Sequence, residues 1–235
     1  MFGYFGYYMD PTYVLVLVGA LLCIAASAKL NGTYKKYAQV RCMSGMTGAE
    51  AAQRILNAAG IYDVRIERVP GNLTDHYDPR NKVLRLSDSV YGASSVAAIG
   101  VAAHECGHAV QHSQNYAPLK VRSALVPAAN IGSKLGIPLV ILGLLFGLHS
   151  SLVPVGIWVF SLAVLFQIVT LPVEFNASSR ALVMLQNLGI TGGQETGYCK
   201  KVLWAAALTY VAAAASSVLQ LLRLVLLSGG SRRDD

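Results

Sequence analysis

The chain has 235 residues, of which 54% are hydrophobic and only 13% charged, with a mean hydropathy of +0.48 and a formal net charge of +7. Soluble domains carry about 25% charged residues, so this composition excludes an ordinary soluble domain and points to a membrane protein. The basic excess suits the anionic inner leaflet of a bilayer rather than nucleic acid, for which no basic–aromatic pattern is present.

Residues 13–30 form an apolar run, uncharged as far as Lys29 and long enough to span; the first transmembrane helix is placed at 12–30. Tyr4, Tyr7 and Tyr8 precede it as an interfacial belt, and Asp10 and Pro11 stand where a signal peptide would carry its basic region. Lys29, Lys35, Lys36 and Arg41 lie at or after its end and no lysine or arginine precedes it, which sets the N-terminus outside and residues 31–134 in the cytoplasm.

That cytoplasmic segment reads as a small α+β module. Thr47-Gly48-Ala49-Glu50 is a capping box opening a helix that Gly60 ends. Residues 64–69 and 82–87 alternate apolar and polar side chains as two strands, with Pro70-Gly71 turning the chain between them in a hairpin. The second strand is a candidate edge for an extended peptide substrate, and a plain structural hairpin is the alternative. In the intervening loop, Leu73-Thr74-Asp75-His76-Tyr77-Asp78-Pro79, His76 or Tyr77 is a candidate donor to an oxyanion, oriented by Asp75 or Asp78. An Asp-Pro turn is the simpler reading of the last two residues.

Ser94 and Ser95 are placed to cap a small-residue apolar helix that runs into His104-Glu105-Cys106-Gly107-His108, an HExxH pattern. On a helix the two imidazoles fall one turn apart on one face. Neutral imidazoles suit zinc, and Glu105 is placed to act as general base on a water attacking a carbonyl. The alternative, two core histidines and a glutamate on an apolar helix, leaves Glu105 buried and unpaired at a cost of several kcal/mol. His112 is excluded as a third ligand, because eight helical residues separate it from His104 by about 12 Å. Cys106 points away from the ligand face and serves as a small packing residue. None of Cys23, Cys42, Cys106 and Cys199 forms a CxxC pair, so reduced thiols are expected.

A second apolar block over 137–171 is split by Gly147-Leu148-His149-Ser150-Ser151 and Pro154 into a transmembrane hairpin, placed at 135–173. Glu174 follows it, at the start of a helix expected after Pro172, and is the candidate third ligand; an ordinary acid near a helix N-terminus is the alternative. His104, His108 and Glu174 with a water make an open, catalytic type of zinc site. Within 174–200, Arg180 is a candidate to hold Glu105 or the oxyanion, with a salt bridge within the fold as the alternative. Glu195 lies in a Gly-rich turn and reads as solvated. Residues 201–228 are the fourth candidate span, Lys200 and Lys201 marking its inner end, although Arg232 and Arg233 follow its outer end; the alternative lays it over the catalytic helix.

Taken together, residues 73–79, Val83-Leu84-Arg85-Leu86-Ser87, His104-Glu105-Cys106-Gly107-His108-Ala109-Val110-Gln111 and Leu171-Pro172-Val173-Glu174-Phe175-Asn176-Ala177-Ser178 resemble the bacterial YugP-type neutral zinc metallopeptidases. More distantly the layout is similar to the HtpX and CAAX-processing membrane proteases. The resemblance implies a gluzincin with one zinc on His104, His108 and Glu174 and with Glu105 as general base. Those relatives carry an aspartate four residues after the glutamate ligand, where this chain has Ser178; Asn176 or Ser178 is the candidate substitute. The expected fold is a mostly α integral membrane protein, about four transmembrane helices with a small zincin-like α+β catalytic module. The expected activity is zinc-dependent peptide hydrolysis at the cytoplasmic face of the bacterial plasma membrane, on peptide or membrane-protein substrates, in quality control. A zinc-bearing membrane scaffold that binds a protease or other membrane partner without hydrolysis is the alternative.

Overall fold

Long apolar segments dominate the architecture because a backbone in lipid must satisfy its own hydrogen bonds. The structure, a computed structural model, describes residues 10–145 and 152–230. The expectations about Tyr4, Tyr7 and Tyr8, the 147–151 turn, and Arg232 and Arg233 lie outside them. The described residues form helices α1 (Tyr13–Tyr37) and α2 (Gly48–Ala58), strands β1 (Arg65–Val69), β2 (His76–Asp78) and β3 (Val83–Ser87), and helices α3 (Asp88–Tyr91), α4 (Val96–Ser113), α5 (Ala117–Leu145), α6 (Leu152–Asn187) and α7 (Gly193–Gly230). Four of these, α1, α5, α6 and α7, are long and apolar enough to cross a membrane. Pro172 does not begin a new helix as expected: it lies inside α6, as Pro127 and Pro138 lie inside α5. A proline forfeits one backbone hydrogen bond, which transmembrane helices tolerate.

The chain divides into two compact units. One comprises, among the described residues, 10–25, 121–145, 152–169 and 210–230. Its helices meet at small residues: a Cβ on Gly136 would stand 2.6 Å from the Phe160 Cβ, and one on Gly19 would stand 2.6 Å from the Ser216 Oγ. Arg223 reaches the Asp10 carboxylate at 3.2 Å and lies over the Tyr13 ring.

The other unit, residues 26–120 and 170–209, has the larger of two hydrophobic clusters; the smaller one, around Val140, Val153 and Phe160, lies in the first unit. The expected capping box is present, with Glu50 N donating to Thr47 Oγ1 at 3.2 Å and Thr47 N donating to Glu50 Oε2 at 2.8 Å. Ile55 and Leu56 of α2 are fully buried together with Leu84 and Leu86 of β3 and Ile99 of α4. Cys106 Sγ faces Ala52 O of α2 at 3.6 Å, so its side chain packs into this core, and all four cysteines are unbridged.

The sheet differs from the expected hairpin. Its order is β1-β3-β2, with β1 parallel to β3 (Arg65 opposite Val83) and β2 antiparallel (His76 opposite Arg85). The tight turn is the one after Asp78, whose Oδ1 accepts from the backbone N–H groups of Arg80 and Asn81 at 3.0 and 3.2 Å. This turn folds β2 back beside β3, so β1 pairs on the other side after a longer connection. Asp75 fixes that connection by accepting from Ser87 N at 2.7 Å and Ser87 Oγ at 2.9 Å. Consequently β3 is interior and cannot be the substrate edge; the free edges belong to β1 and β2.

Candidate metal centre

Helix α4 begins where Ser95 Oγ accepts from Ala98 N at 3.2 Å, and its first turns are nearly all small residues with no exposure. Small side chains let neighbouring backbones come close, and Gly107 is the extreme case: a Cβ there would sit 2.5 Å from Ala177 O of α6. This approach presents the imidazole face of α4 to the turn of α6 that carries Glu174.

The His104 and His108 rings stand edge to face with centroids 4.8 Å apart. Glu174 is 2% exposed, and its Oε2 lies 3.2 Å from His104 Nε2 and 3.5 Å from His108 Nε2. Ligands at about 2.0–2.1 Å from a tetrahedral zinc are separated by about 3.4 Å. One potential ligand atom from each of the three residues lies within 4.8 Å of the others. The spacing therefore fits a cation of zinc's size.

The far side of each ring is also held. His104 Nδ1 meets Ser178 Oγ at 3.0 Å. His108 Nδ1 meets Gln111 Oε1 at 3.0 Å. Fully buried Gln111 donates from Nε2 to Val173 O at 2.8 Å and to Asn176 Oδ1 at 3.0 Å. Because a carbonyl can only accept, the amide orientation is fixed, its Oε1 is an acceptor, and His108 Nδ1 carries the proton. His108 Nε2 then presents a lone pair towards Glu174 Oε2, also an acceptor. Facing lone pairs require a cation or an extra proton between them. In the protein without metal, burial lowers the His108 pKa, but the Glu174 and Glu105 carboxylates outweigh it and hold the imidazole above its ordinary value.

Glu105 is buried on the same helix and has no hydrogen-bond or ion-pair partner among the described residues. Arg180 does not engage Glu105. Its Nε donates to Asn176 Oδ1 at 2.7 Å and its Nη1 to Gln114 Oε1 at 2.5 Å, and its guanidinium lies over the Tyr116 ring at 5.7 Å. It therefore ends a chain running through Asn176 and Gln111 to His108. Strand alternation separates the two oxyanion candidates. His76 is exposed, between Thr74 O at 2.9 Å and Arg85 Nη1 at 3.3 Å, whereas the Tyr77 hydroxyl meets His112 Nδ1 of α4 at 2.9 Å. Burial, then the Asp63 and Asp78 charges, push the Tyr77 pKa up to about 12, which keeps its proton at neutral pH. His112 is thus a partner of Tyr77, one turn beyond His108. Glu195 is buried, not solvated: its carboxylate accepts from Met43 N at 2.7 Å and Gly192 N at 2.9 Å at the start of α7. The orienting role of Gln111 escaped the sequence reading, although its position three residues after His108 on one helix face was a usable signal.

Residues 12–229 match the family described as "Putative neutral zinc metallopeptidase". The chain is 47% identical over 216 residues, 92% of its own length and 96% of the relative's, to the protein named "Putative membrane protease YugP" of Bacillus subtilis (strain 168). No solved structure matches the chain.

Proposed function

Because the chain belongs to this family of neutral zinc metallopeptidases, we propose that it is an integral membrane endopeptidase of gluzincin type that cuts peptide bonds beside the cytoplasmic face of a bacterial plasma membrane. The observation that carries this reading is the convergence of His104 Nε2, His108 Nε2 and Glu174 Oε2 on one point, next to an unpartnered buried carboxylate. These three residues hold one zinc per chain, which when bound acidifies a water to a pKa near 7 and polarises the scissile carbonyl.

Glu105 takes the proton from the attacking water and delivers it to the leaving amine nitrogen. Ser178 and Gln111 keep each imidazole turned with Nε2 inward, and Arg180 is a positioning residue acting through Asn176 and Gln111. In this reading Tyr77, on the α4 side of β2, donates to the oxyanion, and His76, on the other side with Arg85, meets the substrate backbone. An extended peptide adds to the free edge of β2 through main-chain hydrogen bonds. The module between the first span and the hairpin is zincin-like in this reading, with spans near 12–30, 135–173 and 201–228, residues 31–134 inside, and 174–200 returning the third ligand. Basic residues Lys29, Lys35, Lys36, Lys200 and Lys201 support the inside placement. Membrane proteins in quality control are the proposed substrates.

Glu105→Gln tests the mechanism. Casein hydrolysis by the purified protein should fall by about 10²–10⁴-fold, with zinc content unchanged near one per chain. Undiminished hydrolysis in the variant refutes the general base. Wild-type protein that binds zinc and cuts nothing would favour a scaffold that recruits a membrane protease or other partner.

A further inference from the structure

Helices α1 and α7 each turn a regular face into one groove of about 560 Å³. On α1 Lys29, Gly32, Thr33 and Lys36 line it, flanked by Ala28 and Tyr37, and on α7 Lys201, Trp204, Ala205 and Leu208 do, so a face of i, i+3, i+4, i+7 spacing recurs on both helices. Three lysines face this groove and no carboxylate lines it. Lys29, Lys36 and Lys201 are exposed, and none forms an ion pair among the described residues. Two of them are held at the mouth by aromatic rings: Lys36 Nζ lies 5.6 Å from the Tyr37 centroid and Lys201 Nζ lies 5.8 Å from the Tyr198 centroid. These two tyrosines stack on each other across the helices at 5.0 Å.

Towards the apolar part of both helices the wall changes to Ala28, Ala205 and Leu208, with Trp204 58% exposed beside them. A cationic mouth continuing into an apolar slot matches one class of molecule, an anionic head joined to an acyl chain. Basic pockets between membrane helices on the anionic leaflet bind such headgroups. We propose that this groove is a binding site for an anionic phospholipid, its phosphate among Lys29, Lys36 and Lys201 and its acyl chain along Leu208 and Trp204. The inference is independent of the metal centre, although Trp204 also touches Phe175, the residue after Glu174, at 5.8 Å between ring centroids.

Gly32 supplies a clean way to close the groove, since a Cβ there meets nothing within 4 Å and leucine is the better helix former. The full-length protein in detergent, carrying Trp158→Phe so that Trp204 is the sole indole, is titrated with dihexanoyl phosphatidylglycerol while Trp204 fluorescence is followed. Saturable binding is expected, weakened by at least about tenfold both in the triple variant Lys29→Gln/Lys36→Gln/Lys201→Gln and in Gly32→Leu, with zinc content unchanged in every variant. Dihexanoyl phosphatidylcholine and inorganic phosphate should leave the signal unmoved. An equal response to phosphatidylcholine would overturn the charge recognition, and a response to phosphate alone would make this a free-anion site. Wild-type affinity in either variant would remove the groove itself.

Discussion

In the unit that carries the metal centre, Ile55, Leu84 and Ile99 are fully buried, whereas in the unit of residues 10–25, 121–169 and 210–230, Leu21, Leu145 and Trp158 turn outward with 64%, 73% and 76% exposure. Water drives the first arrangement, since each buried leucine-sized side chain gains about 1.5–3 kcal/mol. Lipid gives no such gain, so helices there must associate through close backbone approach at small residues. Glycine serves both units, but at Gly107 it fixes the spacing of ligands, while at Gly136 it fixes only the packing of two helices.

The largest effect should come from Gly107→Val. Its side chain would be driven into Ala177 O, a backbone atom that cannot turn aside. Overpacking of this kind costs about 1–3 kcal/mol or more, and the separation of α4 from α6 should empty the site. Zinc content should fall well below one per chain and casein hydrolysis should disappear; a variant with full zinc would show that side chains, not helix approach, set the ligand spacing. Gly136→Val imposes a similar clash on Phe160. It should lower the thermal midpoint in detergent by several degrees, at about 1–3 kcal/mol, and yet keep zinc near stoichiometric. Loss of zinc in both variants would erase the distinction between the units.

Within the first unit the two imidazoles have unequal support, a buried amide network for His108 and one hydroxyl for His104. Gln111→Ala should weaken zinc affinity by about 10–100-fold, measured by competition with a chelator. Ser178→Ala should weaken it less, and Ser178→Asp should strengthen it by placing a carboxylate behind the ring. If Ser178→Ala is the more damaging, the ranking of the two holders is reversed.

The smallest effect concerns the sheet. Hydrogen bonds from the Asn81 side chain and backbone hold the Asp78 carboxyl below the usual carboxylate range, outweighing burial, with smaller help from Arg85 and Arg80. A depressed folded pKa stabilises the protein above the ordinary aspartate value of about 3.9, and that contribution is lost as pH falls through the folded value. Asp78→Asn should therefore lower the thermal midpoint at neutral pH and make its decline between pH 4 and pH 2, as a fraction of the neutral value, shallower than in the wild type. An acid limb parallel to wild type would show that the turn after β2 contributes no pH-dependent stability.

What was legible in the sequence was what is local. The capping box of α2, the serine cap of α4 and the one-turn pairing of His104 with His108 each depend on residues within a few positions, and hydropathy marked four candidate spans. Glu174, which the structure brings beside both imidazoles, was singled out because a lone acid after a long apolar stretch is conspicuous. The sheet was misread because β1 and β3 alternate in the same way whether paired parallel or antiparallel, and because β2 is only three residues of polar and aromatic character. Glu195 was misjudged and Gln111 overlooked for a related reason: neither side chain shows its role until the distant backbone groups it serves, Met43 N and Val173 O, are known.

The 70 residues that separate His104 from Glu174 also set a clock. Both imidazoles leave the ribosome first, then α5 and most of α6, and only afterwards the carboxylate. At about 5–20 residues per second the interval is roughly 4–14 seconds, during which a nascent chain carries two of the three candidate ligands. A truncated or stalled product ending before Glu174 would therefore lack the third candidate ligand, and the candidate site is completed only once α5 and most of α6 have been laid down.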